Sequence, residues 1–337
     1  MTADRTAIRS IPAHAAAAFL VETGANMGDP LGVLEDLVLD DVYMLAPGAA
    51  APQRLSVASG SDGSFTLAED SELGQPGAAL HLDCALTLMA EVGPNVDALV
   101  MVEVDAEGLI AAVYLVPMAP LMPQTGYTLL KAERAPARAR LAQMASIAFT
   151  RGTHITLATG AQKPIEDLRP GDRILTRDDG VQELRWIGQT TSRATGAMAP
   201  ILIRKGTLNN ARDLLVSPDH RLMVYQRHDA LGAGTPELLV AARHLVNGDS
   251  VVVQDGGFVD YFQLLFDRHH IVYAEGIAAE SLFLDPVTEP ALPPGLLQRI
   301  ADGSIPPQRR DSHGLDVPSP LLDRPDLVEL LKRASLR

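Results

Sequence analysis

The chain holds one cysteine, Cys84. A single thiol excludes an intramolecular disulfide framework and a cysteine-based zinc site. Cys84 lies in an alternating apolar run and reads as a small buried hydrophobe. Aromatic residues are scarce, at 4% of 337 residues, so the core must be aliphatic. No apolar run reaches the roughly 18–20 residues of a membrane span. The apolar stretch Ala15–Val21 is short, and Pro12 and His14 interrupt its approach, which makes it a poor secretion signal. The location stays open between cytoplasmic and exported without a clear signal peptide. Basic residues are rare in the first half, where Arg54 is the one base between Arg9 and Lys131. Residues 1–147 hold 18 acids and 7 bases, out of a whole-chain net charge of −14. Such a surface repels phosphate backbones and anionic lipid, so nucleic acid is not an expected partner.

What is present is a long, apolar, turn-rich chain. A hydrophobic fraction of 47% supports globular cores, and the length has room for two domains and a tail. The first ~130 residues read as β. Leu80, Leu82, Cys84, Leu86 and Leu88 alternate, and so do Val96, Ala98, Val100, Val102 and Val104. Period-two alternation marks half-buried strands. Asp105-Ala106-Glu107-Gly108 turns the second of these into Leu109–Val116. Ser59–Ser64 makes another turn, between Leu55–Ala58 and Phe65–Ala68. Its Ser61-Asp62-Gly63 lacks the acidic ladder of a calcium loop and reads as a plain turn. The expectation for residues 1–130 is an antiparallel β-sandwich or barrel-like domain. Residues 131–147, with Lys131, Arg134, Arg138 and Arg140 among alanines, read as a basic, solvated linker.

From 148 to 283 the pattern is β again, giving an all-β chain. Strand candidates are Arg173–Thr176, Gln182–Ile187, Leu214–Val216, Leu222–Tyr225, Ser250–Gln254, Tyr261–Phe266 and Ile271–Ala274. Residues 284–337 form a proline-rich tail, with short helices fitting Leu296–Ala301 and Asp326–Arg333. Such a tail either packs on a domain or recruits a partner.

Two distant segments carry the chemical signal. One is Ala148-Phe149-Thr150-Arg151-Gly152-Thr153, and the other is Ser217-Pro218-Asp219-His220-Arg221. Between and after them stand Glu166-Asp167-Leu168-Arg169-Pro170-Gly171-Asp172, Arg185-Trp186-Ile187-Gly188, and Leu264–Gly276. Five such elements in this order resemble the Hedgehog/intein (Hint) autoprocessing domain, in the form found in bacterial intein-like proteins of alphaproteobacterial type. The resemblance spans residues 148–283 and leaves the rest of the chain unexplained.

The chemistry of that family sets clear demands. Splitting a peptide bond within one's own chain needs a nucleophile just after the scissile carbonyl, a proton donor for the leaving nitrogen and donors for the oxyanion. A cysteine suits because its thiol pKa is about 8.5, and a histidine near ~6.5 suits proton transfer. The resemblance implies that His220 contacts the scissile amide and protonates its nitrogen, while Ser217 orients the histidine or the amide. It places Gln263 near a position held by a catalytic Asp or His in relatives. Glutamine hydrogen-bonds but does not titrate. Asp219 tunes His220 or caps the turn, the turn being the preferred reading, and Gly152 and Thr153 read as shaping the strand entry rather than reacting. His269 and His270 are adjacent, so they would face opposite ways and not share an ion. No cofactor and no metal are expected.

Two positions limit the reaction. Splicing inteins close on His-Asn, and the matching residues here are Glu280-Ser281. Serine forms no succinimide, so splicing is not expected. Ala148 stands where the family has its cysteine, and a methyl group cannot attack Ile147. The expectation is an autoprocessing protein that would cleave the Ile147–Ala148 bond by an N–S acyl shift, silent as long as alanine stands there. Its substrate would be its own N-terminal segment, and water or an amine would resolve the thioester. Because the other elements survive, Ala148 is read as a substituted cysteine that traps the precursor. The alternative is a non-catalytic structural or adaptor protein on a degenerate Hint fold, meeting a protein partner through its N-terminal domain or tail.

Overall fold

The computed structural model describes residues 7–49, 51–60, 62–145, 147–225, 235–284 and 287–305. These divide into two compact units, one holding residues up to 144 together with 287–291, the other the remainder.

The first unit is built from nine strands. They are β1 (Ala7–Ala15), β2 (Phe19–Thr23), β3 (Val42–Leu45), β4 (Gln53–Ser59), β5 (Phe65–Leu67), β6 (Ala79–Ala90), β7 (Val96–Val104), β8 (Ile110–Pro117) and β9 (Tyr127–Glu133). Strands β6-β5-β4-β1-β8-β7 run side by side, and β7 pairs back onto β6, which closes a six-stranded antiparallel barrel. Strand β6 is long enough to carry β9, β3 and β2 as an extension on its second half. Closure removes the open edges of those six strands.

The alternation read from the sequence works here with one local shift. A bulge sits between Leu82 and Cys84 of β6. It turns Asp83 out to accept the Leu34 N–H at 2.7 Å and to meet Arg134 at 3.1 Å. Cys84 is fully buried among Leu86, Leu88, Val100 and Leu115. The few aromatics are concentrated: Phe19 stacks on Tyr43 at 5.2 Å and tilts against Tyr127 at 6.0 Å. The Ala15–Val21 stretch is therefore barrel material, with Ala16, Phe19 and Val21 buried.

The segment expected as a solvated linker is structured. Lys131–Glu133 finish β9, and Ala137–Met144 form helix α1 with Ala137, Leu141 and Ala142 buried. Arg140 fastens the helix to the barrel, donating to the Leu86 carbonyl at 2.8 Å and pairing with Asp97 at 3.1 Å. Arg138 is exposed on the outer side of the helix, while Ala137, Leu141 and Ala142 face inward.

The second unit has strands β10 (Phe149–Thr150), β11 (His154–Thr156), β12 (Gln162–Pro164), β13 (Arg173–Leu175), β14 (Val181–Glu183), β15 (Trp186–Arg193), β16 (Ile201–Ile203), β17 (Leu214–Val216), β18 (Arg221–Tyr225), β19 (Glu237–Ala241), β20 (Val251–Val253), β21 (Phe258–Leu265), β22 (Ile271–Ala274) and β23 (Ile277–Glu280). One six-stranded sheet has the order β15-β21-β10-β17-β16-β20, and another has β12-β11-β22-β23-β18-β19. A small hairpin pairs β13 with β14. The strand pairings in the two sheets are antiparallel, and their inner faces share a core around Phe149, Ile155, Val216, Leu222, Phe262 and Val272.

The single strand expected over Gln182–Ile187 is two strands. Leu184 is fully buried and its N–H bonds the Asp172 carbonyl, while the Arg185 N–H bonds that of Leu265. The chain thus changes partner within two residues. The tail beyond 284 also packs: Leu292, Leu296 and Ile305 are buried with Leu265 and Leu282, and helix α2 covers Pro294–Ala301. The helix expected at Asp326–Arg333 lies outside the described residues.

Candidate functional site

The quoted motifs clip one another into place. In the turn after β10, the Thr153 N–H reaches the Thr150 carbonyl at 3.2 Å and Gly152 takes φ +86°. That conformation suits a residue without Cβ. The Gly152 N–H donates to Glu166 at 2.9 Å, which ties the first motif to the second. Arg185 makes a two-point pair with Asp267, at 2.9 and 2.8 Å, which ties the third to the last. The Asp267-to-Gly276 stretch ends in a two-residue hairpin at Glu275 and Gly276, whose φ values of +49° and +86° match a type I′ turn.

Ser217-Pro218-Asp219-His220 is a β-turn written in the sequence. Serine stands first, proline second and aspartate third, all favoured there. The His220 N–H closes it on the Ser217 carbonyl at 3.0 Å. Because that carbonyl is used by the turn, it is not given to the neighbouring strand. The Ser217 hydroxyl takes its place: it accepts the Ala148 N–H at 3.0 Å. The Ser217 N–H in turn reaches the Ala148 carbonyl at 2.9 Å. Ala148 is therefore gripped on both sides by one serine, and the nitrogen held is that of the Ile147–Ala148 bond.

His220 is fully buried. Its Nδ1 lies 2.9 Å from the Ala148 carbonyl oxygen, and its Nε2 lies 3.0 Å from the Glu280 carbonyl oxygen. The ring stands edge-on to Phe149, with centroids 4.3 Å apart. Burial pushes its pKa below the usual imidazole value, against the opposing pull of the two carbonyls and the Glu280 carboxylate. The contact expected between this ring and the scissile nitrogen is thus displaced by one peptide. The ring addresses the Ala148 carbonyl, and the nitrogen is addressed by Ser217.

Gln263 sits in β21 across from Gly188. The β10–β21 register pairs Phe149 with Phe262, so one further step sets Gln263 across from Ala148, on the flank opposite Ser217. Asp219 faces Arg243 at 2.5 Å, consistent with a turn residue rather than a partner of His220. His269 and His270 precede β22 and diverge: His269 lies 3.6 Å from Glu280, and His270 lies 3.1 Å from Asp179. Among the described residues, no cluster of three or more His, Cys, Asp or Glu is placed to hold a metal ion. No described helix is long and apolar enough to cross a membrane.

Sequence reasoning missed one cluster. Glu280 is fully buried and receives Arg221 at two points, 2.6 and 2.5 Å. Burial alone would raise its pKa, but Arg221, His269 and His220 outweigh it and the net shift is downward. The available signal was a charged residue at each of two strand ends, Arg221 and Glu280, in otherwise apolar runs.

Two antiparallel sheets around one aliphatic core, with a strand-end junction held by Ser217 and His220, make up an all-β domain. Residues 147–286 match the Hint domain family, so this part of the chain is a Hint domain. Among solved structures, the gp41-1 intein is similar at 12% identity, covering 40% of this chain and 98% of that one, with a TM-score of 0.26. The MchDnaB-1 intein is similar at 12% identity, covering 40% and 100%, with a TM-score of 0.27. A bacterial intein-like domain from Clostridium thermocellum is similar at 16% identity, covering 41% and 99%, with a TM-score of 0.28. No curated protein matches the chain.

Proposed function

We propose that the Hint domain of this chain is built to break the Ile147–Ala148 bond and is silent because position 148 carries a methyl group. The observation that carries this reading is the grip on Ala148. Ser217 holds its N–H at 3.0 Å, and His220 lies 2.9 Å from its carbonyl. Ala148 is only 2% exposed, so the junction is held inside the domain. An amide immobilised this way meets the proximity requirement for an intramolecular attack.

With cysteine at 148, the thiol would attack the Ile147 carbonyl and form a C–S bond. The C–N bond then breaks, the nitrogen of residue 148 leaves as an amine, and Ile147 remains as a thioester. Water or an external amine resolves it, releasing residues 1–147. Ser217 does not substitute as nucleophile. An oxygen that accepts the amide N–H lies near the amide plane, whereas attack on the carbonyl comes from above that plane. Ser281 in the position of an asparagine confines the reaction to this one junction.

The test is Ala148→Cys in the full chain, followed by intact mass. A fragment ending at Ile147 supports the reading, and its appearance should quicken with added thiol or hydroxylamine. A chain that stays whole under those conditions overturns it. The second reading, a non-catalytic adaptor on the same fold, is favoured by Ala148 itself and by the non-titrating Gln263. Alanine encoded at position 148 in the natural gene would support it.

A further inference from the structure

We infer that Glu280 is the positioning residue for His220, acting through its own backbone carbonyl and its carboxylate; this rests on position 148 being the reacting position. The argument starts from register. Strand β18 opens at Arg221, directly after His220, and β23 ends at Glu280. Leu222 pairs with Ala279, so Arg221 and Glu280 face each other across the two strand ends. The two-point Arg221–Glu280 contact, at 2.6 and 2.5 Å, pins both ends in a buried setting. The pinned residue's carbonyl is the one that lies 3.0 Å from His220 Nε2.

A carbonyl oxygen only accepts, and both ring nitrogens face one, so the two contacts are satisfied together only when the ring carries both protons. Burial opposes that charged form, and a neutral ring has a single N–H to share between the two carbonyls. The neutral ring therefore leaves one nitrogen bare beside a carbonyl, and Nδ1 is the one that lies 2.9 Å from the carbonyl of residue 148. In the reaction, the proton of a thiol at position 148 passes to the bare nitrogen of the ring. The ring becomes a cation and donates to both carbonyls, while the Glu280 carboxylate supplies the counter-charge. As the C–N bond breaks, the proton moves on to the leaving nitrogen and the ring returns to neutral. The two carbonyls and the Glu280 carboxylate thus offset part of the burial cost of the cation that forms during the step. The charged and titratable groups around this pair are Arg221 and His269, the latter 3.6 Å from Glu280. Asp219, next to His220, is occupied by Arg243.

Two experiments test this, one independent of cleavage. Nitrogen NMR of His220 in the full Ala148 chain should show the ring taking up its second proton at lower pH in Glu280→Gln than in the parent. An unchanged titration of the ring in Glu280→Gln overturns the inference. In the Ala148→Cys background, Glu280→Gln keeps the backbone carbonyl and the volume but removes the charge. Cleavage should slow by about tenfold or more, and the limb of the pH–rate profile on which the ring deprotonates should move to lower pH. A purely structural role would reduce the folded fraction and leave that limb in place, which overturns the inference. If Glu280→Gln does not fold, Arg221→Lys keeps the charge and loses the two-point grip. It should slow cleavage at an unchanged folded fraction, and an unchanged rate, or one that falls only with the folded fraction, overturns the inference. An Ala148→Cys chain that never cleaves defeats the autoprocessing reading alone, because the NMR result still decides what holds His220.

Discussion

The Ser217 hydroxyl accepts the Ala148 N–H at 3.0 Å, while the Ser217 carbonyl closes the turn onto the His220 N–H at 3.0 Å. One residue therefore couples the junction to the histidine. Ser217→Ala would leave the buried Ala148 N–H without that acceptor. The expected cost is about 1–3 kcal/mol of stability, measured as a shift in the urea midpoint of the full chain. Amide exchange at Ala148 should quicken as well. An unchanged midpoint with unchanged exchange at Ala148 would show that the hydroxyl does not hold the junction.

Acid should destabilise the Hint domain. His220 and His270 are both pushed below the usual imidazole value by burial. The fold therefore favours the neutral rings, and the unfolded chain binds the extra protons. Stability from these groups is full above the unfolded value near ~6.5 and is lost as pH falls through it. Glu280 and Asp172 have lowered carboxyl values despite burial, through Arg221 and His269 for the first and Lys163 for the second. Their contribution is present above about 4 and lost below it. Both sets act in the same direction. Denaturant midpoints should fall steadily from about pH 7 downward, and His270→Gln should flatten the upper part of that curve. A midpoint that rises toward acid would contradict the assignment.

Cys84 should be inert in the native chain. It is fully buried, and burial together with the neighbouring Asp83 carboxylate pushes its thiol up to about 12. The thiolate is the reactive form. A thiol reagent such as Ellman's should label it only in denaturant, with native labelling as slow as unfolding of the barrel. Fast stoichiometric labelling without denaturant would place Cys84 at the surface.

Much of this was legible in the sequence because it depended on local rules. Alternation gave β7 its observed bounds, and the Ser217-Pro218-Asp219-His220 turn follows from the preferences of each residue for its place. The site lines up because β10 lies between β17 and β21, a fact of register that motif order could carry. Three things escaped for physical reasons. The bulge at Asp83 depends on partners 49 and 51 residues away, Leu34 and Arg134. Helix α1 is held by a barrel surface that its own composition does not announce. The Arg221–Glu280 pair depends on two strand ends that meet only after both sheets form. The shift of His220 onto the Ala148 carbonyl has the same origin, because the geometry of one peptide lies below what a motif specifies.

Gly188 offers a sharp test of packing in the Arg185-Trp186-Ile187-Gly188 motif. Trp186 and Gly188 are two apart on β15 and so share a face. A Cβ placed on Gly188 would lie 2.0 Å from the outer edge of the Trp186 ring. The glycine therefore leaves room for the indole to lie back along its own strand, toward the cluster of Leu265, Leu282 and Leu296. Gly188→Ala would force the ring to swing away. Overpacking of this kind costs about 1–3 kcal/mol. Trp186 is the sole tryptophan in the chain, so its fluorescence reports the move without a competing signal. The expected outcome is a red-shifted emission and a lower denaturation midpoint, with far-ultraviolet circular dichroism unchanged. Emission that stays at the parent wavelength would mean that the indole does not use the space over Gly188, and the motif's glycine would need another cause.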